Sequence, residues 1–91
     1  MTHREGVLSE ASHLIVGGRD QVYGTPQENF GRIARIWTEL LGVEIQPYQV
    51  ALCQTAVKMA RLVNTHDHHD SWVDAAGYLA LGSELAEVPD Q

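Results

Sequence analysis

Cysteine is almost absent. Cys53 stands alone, so the chain can form no internal disulfide and offers no Cys-x-x-Cys metal clip. Basic residues are also scarce: 6 Lys and Arg stand against 12 Asp and Glu, for a formal net charge of −6. That balance excludes a nonspecific DNA or RNA binder, which needs a basic stripe to neutralise phosphates. It argues equally against docking on an anionic membrane surface. It leaves room for a small phosphorylated ligand, since a pocket can be locally basic in an acidic protein. No apolar run is long enough for a membrane span, and Met1-Thr2-His3-Arg4-Glu5 does not read as a signal peptide. The expected location is therefore cytoplasmic. Strand-like alternation is missing, as are a phosphate-binding glycine loop, an HExxH motif and a nucleophile–base pair.

What is present is helical. The 91 residues, 44% of them hydrophobic, suffice for one domain spanning 1–91 and not for two. A domain this small buries a modest share of its surface, so a homodimer is expected. Apolar periodicity predicts four helices, at about 4–16, 26–42, 47–64 and 70–87, in an all-α four-helix bundle-like domain. Gly17-Gly18 closes the first helix. Thr25-Pro26-Gln27-Glu28 opens the second, with Thr25 as N-cap, Pro26 at the first helical position and Glu28 completing a capping box. Gly42 ends it. The third helix is the most apolar: Gln54, Lys58 and Arg61 form a narrow polar strip on an otherwise hydrophobic cylinder. A helix apolar on most of its circumference is packed on more than one side. It is expected at the buried centre of the bundle, with Cys53 as inert core.

The residues able to carry chemistry gather near the last helix. Asp70, Asp74 and Tyr78 repeat at i, i+4, i+8 and share a stripe with Gly77, Leu81 and Leu85. A stripe that runs into leucines faces protein, so its acids need partners. Lys58 and Arg61 are the bases within reach across a short turn. The pattern thus predicts a semi-buried cluster of Lys58, Arg61, Asp70 and Asp74. It has two readings. In one, Asp70 and Asp74 serve only as helix-end acids in a structural ion-pair network, which is common; in the other, the cluster is a site. On pattern alone the structural network is favoured. Asn29 falls within the apolar arc of the second helix and must find hydrogen bonds; tying down the preceding loop is favoured over ligand contact. His66, His68 and His69 with Asp67 and Asp70 contain metal-ligand chemistry, but adjacent residues rarely converge on one ion, which favours a solvated turn.

Three stretches together carry a family resemblance: Arg19-x-x-x-Tyr23-Gly24-x-Pro26-x-x-Asn29-Phe30, Lys58-x-x-Arg61, and His69-Asp70-Ser71-Trp72-x-Asp74-x-x-Gly77-Tyr78. They resemble a group of small phage-encoded proteins, which in turn look like the phage nucleotide-modification-associated domains and, more distantly, the MazG-like all-α nucleotide pyrophosphohydrolases. The likeness to the small phage group runs from about Glu10 to Leu85. The MazG-like pattern implies Mg²⁺ held by paired acidic motifs on successive helices, pyrophosphate release from nucleoside triphosphates, and dimers. Asp74 matches the final acid of the second motif. Ser71 stands where its first acid would be, and Gln54, Lys58 and Arg61 occupy the strip where the other motif's acids would lie. Bases beside one or two aspartates make a poor Mg²⁺ cage and a reasonable phosphate grip.

The resulting expectation is a phage-type nucleotide-binding or nucleotide-processing protein, with catalysis in doubt. Lys58 and Arg61 would hold phosphate, Asp70 and Asp74 would orient the bases or bind Mg²⁺ weakly, and Arg19, Tyr23 and Asn29 would close the pocket. The alternative is a small non-enzymatic phage protein that binds a host or phage protein.

Overall fold

Local chemistry sets most of the helix ends in the computed structural model, which describes residues 1–16 and 24–87. Thr2 caps α1 (His3–Ile15): its hydroxyl accepts the Glu5 N–H while the Glu5 carboxylate accepts the Thr2 N–H. Thr25 accepts the Glu28 N–H at the start of α2 (Pro26–Leu41), with Pro26 at its first position. Gly42 ends α2 at φ 73°, the left-handed cap, donating its N–H to the Thr38 carbonyl at 2.9 Å. The Thr38 hydroxyl donates to the Ala34 carbonyl at 2.8 Å and accepts the Ile45 N–H at 2.9 Å, which pins the turn into α3 (Pro47–Asn64). The turn after α3 leads to α4 (His69–Leu85). No strand occurs among the described residues. The ends differ from the sequence-based ranges by a residue or two, the usual fraying of helix termini.

Glu5 carries a testable consequence. Hydrogen bonds from the Thr2 backbone N–H, and then from its hydroxyl, hold the Glu5 carboxyl below its ordinary value of 4.5. A lowered folded-state value favours the folded cap above the unfolded value and loses that benefit as pH falls through the folded one. The first turn of α1 is therefore expected to loosen below about pH 4.5, read as a shift of the Thr2 and Glu5 amide resonances that Glu5→Gln abolishes.

Phe30 and Ala34 of α2, Val50 and Ala51 of α3 and Leu81 of α4 form the core, with Ile15, Ile33, Trp37, Ile45, Tyr78 and Leu85 packed against it. Phe30 and Tyr78 meet edge to face, their ring centroids 6.4 Å apart. The central element is α4, which packs against all three other helices, most extensively α3. This corrects the expectation of a central buried third helix. The buried residues of α4 include Ser71, Ala75, Gly77 and Gly82. Such small side chains add little hydrophobicity to a sequence pattern, yet they let neighbouring helices approach closely. A Cβ placed on Gly82 would stand 3.2 Å from the Ala51 Cβ, and one on Gly77 3.2 Å from a methyl of Ile15. The apolar cylinder of α3 is buried on one side only. Val50, Ala51, Thr55 and Leu62 face inward, while Leu52, Val57, Met59 and Val63 are exposed. Cys53, expected in the core, is exposed as well.

Candidate functional site

Two contacts fix the register of α3 against α4. The Gly82–Ala51 approach lies near one end, and two helical turns away Lys58 Nζ meets Asp74 Oδ2 at 2.9 Å. Residue numbers rise along α3 as they fall along α4 between these points, so the helices run antiparallel. The Lys58 and Asp74 side chains keep 15% and 33% of their exposure, so the pair is partly buried, the lysine more deeply than the aspartate. One turn further, the same register brings Arg61 level with Asp70. Both are exposed, and neither takes part in an ion pair among the described residues. The predicted four-member semi-buried cluster is therefore a semi-buried pair, Lys58–Asp74, with Arg61 and Asp70 outside it. Those two residues lie at the ends of their helices, where the seam opens to solvent.

Asp74 connects the pair to the other flank of α4, where α1 packs. A groove of about 190 Å³ is lined there by Ile15, Asp74, Gly77 and Tyr78 with Leu14, Val73 and Leu81. A second, of about 520 Å³, is lined by Glu10, His13, Asp70 and Asp74 over Leu14 and Val73. Asp74 thus has Lys58 on one side and, on the other, a groove with an apolar floor and walls of carboxylates and the His13 imidazole. Carboxylates there accept hydrogen bonds from hydroxyl and amino groups, and repel a bare phosphate. The charge able to attract phosphate lies across Asp74, at Arg61 and the Lys58 ammonium.

Several residues of the sequence pattern have structural partners. Ser71, 1% exposed, hydrogen-bonds His68 Nδ1 at 2.7 Å. The Trp72 indole N–H donates to the His66 carbonyl at 2.8 Å, closing the α3–α4 turn. His69 pairs with Glu10 of α1, a cross-helix contact that sequence reasoning did not find because nothing local links them. His68, and not Asp70, holds the N-cap position of α4. Asn29 is half-buried in the first turn of α2, next to core residue Phe30. The loop it was expected to tie down lies mostly outside the described residues, as do Arg19 and Tyr23.

The donor set fits Mg²⁺ poorly. Asp74 is engaged by a lysine ammonium, whose charge opposes a dication, and Asp70 stands exposed a turn away. Among the described residues no group of three or more His, Cys, Asp or Glu is placed to hold a metal ion.

Residues 6–86 match the family described as Domain of unknown function (DUF6378). The chain belongs to that family. It is 40% identical over 85 residues to the "Gene 55 protein" of Mycobacterium phage D29, an alignment covering 93% of this chain and 56% of the phage protein. It is 41% identical over 85 residues to the "Gene 55 protein" of Mycobacterium phage L5, covering 92% and 54% respectively. The DUF6378 chain thus spans about half the length of these relatives. No solved structure matches it. The resemblance to small phage proteins holds at the level of sequence family, and none of these comparisons points to MazG-like enzymes. No helix among the described residues is long and apolar enough to cross a membrane.

Proposed function

We propose that this DUF6378 domain is a phage-type domain that binds a nucleotide beside the Lys58–Asp74 pair. The supporting observation is that pair itself: a partly buried cation–carboxylate contact whose Asp74 also lines two grooves. The nucleoside would lie over the apolar floor of Leu14 and Val73, its hydroxyl and amino groups donating to Asp70, Asp74 and Glu10. The phosphate would lie towards Arg61, with the Lys58 ammonium behind it. The larger groove falls in the size range of small-ligand sites, about 300–1,000 Å³. These residues supply charge and hydrogen-bond partners for binding.

Thermal-shift measurements against a panel of nucleoside mono- and triphosphates test it. With ligand about tenfold above Kd, stabilisation is about 1.4 kcal/mol, which for a domain of this size raises Tm by about 6–10 °C. Arg61→Ala should remove most of that shift while leaving the Tm of the free protein unchanged. No shift with any nucleotide at millimolar concentration sinks the reading.

The second reading is a non-enzymatic domain that binds a host or phage protein. It is favoured by the structural partners that Ser71, Trp72, Gly77 and Asp74 already have, which let the sequence pattern serve the fold alone. A stoichiometric protein partner recovered from host lysate, still bound by Arg61→Ala, would support it over nucleotide binding.

A further inference from the structure

The exposed side of α3 is the least expected surface of this domain. Leu52, Ala56, Met59 and Val63 follow one another at spacings of four, three and four, the rhythm of a helix–helix seam. All four are exposed, Leu52 at 49%, Met59 at 58% and Val63 at 89%. Cys53 and Ala60 flank the seam on one side, and all the residues of this arc are uncharged. The seam lies nearly opposite the strip bearing Lys58 and Arg61, so it is separate from the proposed ligand site.

We infer that this face is covered by a second copy of the same chain, the two α3 helices crossing antiparallel about a two-fold axis between Ala56 and Met59. Size complementarity sets the direction. In the antiparallel register Met59 lies over the partner's Ala56, a long side chain in the space left by a methyl, and Leu52 lies beside the partner's Val63. A parallel pair would stack Met59 on the partner's Met59 and leave a gap between alanines. An interface with a two-fold axis uses the same patch on both copies, so a patch of one sign would repel its own copy; in a chain of net charge −6 this uncharged face avoids that repulsion. A partner selected by opposite charge would find nothing here to pair with. The large side chains of the face expose on the order of 400 Å² of apolar surface, which falls among the largest patches seen on monomers. That is about half of the roughly 800 Å² that each partner contributes to a standard interface, so Ala56, Ala60, Cys53 and the residues around them would supply the remainder.

Analytical ultracentrifugation of the native chain from micromolar to hundreds of micromolar should show a dimer. Met59→Glu and Val63→Glu should sediment as monomers with helical circular dichroism. Leu79→Glu, on an exposed apolar residue of α4, should remain dimeric. A second test does not require the acidic variants to fold. In a Cys53→Ser chain carrying both Leu52→Cys and Val63→Cys, oxidation should give a species of twice the mass, because the antiparallel register brings each new thiol beside the other copy's. A native chain that stays monomeric throughout, a Met59→Glu chain that still dimerises, or the absence of the oxidised product would each overturn the proposal.

Discussion

Phe30→Ala should cost about 3–5 kcal/mol, the largest loss expected from any single truncation in this domain. Phe30 is 5% exposed and belongs to the core from α2, and its ring meets Tyr78 of α4 in a T-shaped contact. Truncation removes that contact and leaves a cavity where α2 meets α3 and α4. Ala34 and Ala51 are too short to collapse into the space. The effect is severe because domains as a class have only about 5–15 kcal/mol of stability to lose. Chemical denaturation should show a much lower midpoint with little change in slope. Phe30→Leu, which keeps most of the volume, should recover more than half of the loss.

Asp74→Ala is expected to lower stability by about 1–2 kcal/mol, and Lys58→Met in the same chain to restore most of it. The first substitution strands an ammonium that is largely withdrawn from water, at 15% exposure. The second replaces that ammonium with a thioether of similar length, so nothing charged is left unpaired. The double-mutant cycle therefore returns a favourable coupling energy, the signature of two groups that touch. Ligand binding separates from fold maintenance in the restored chain. The Lys58→Met, Asp74→Ala protein should fold like the native one and fail to respond to nucleotide. A folded, responsive double variant would assign the pair to architecture alone.

The parts of this fold legible in the sequence are those fixed by local chemistry. Thr25-Pro26 and Gly42 bound α2 where they stand, since a cap acts through its own few residues. The Lys58–Asp74 contact could be read because a short turn makes α3 and α4 antiparallel neighbours and the i+4 stripe fixes which acid faces inward. Its extension to Arg61 and Asp70 failed because both sit at helix ends where the seam opens. The central role of α4 was hidden for a different reason. Gly77 and Gly82 position it by what they leave out, and hydropathy gives such absences little weight. The apolar pattern of α3 predicts packing on more than one side, but within the described chain only one side is buried, and hydropathy alone cannot distinguish a covered face from an exposed one. Trp72 and His69 are held by a backbone carbonyl and by a residue of α1, partners that no spacing rule names.

α1 is held mainly by one neighbour. It packs mainly on α4, through the Ile15–Gly77 approach and the His69–Glu10 pair, and both grooves lie along that contact. A helix held by one neighbour opens at lower free energy than the structure as a whole. Hydrogen exchange should accordingly find α1 the fastest helix and the α3–α4 pair the slowest. A molecule seated between α1 and α4 would act as a clasp, slowing exchange in α1 well before it altered the global unfolding rate.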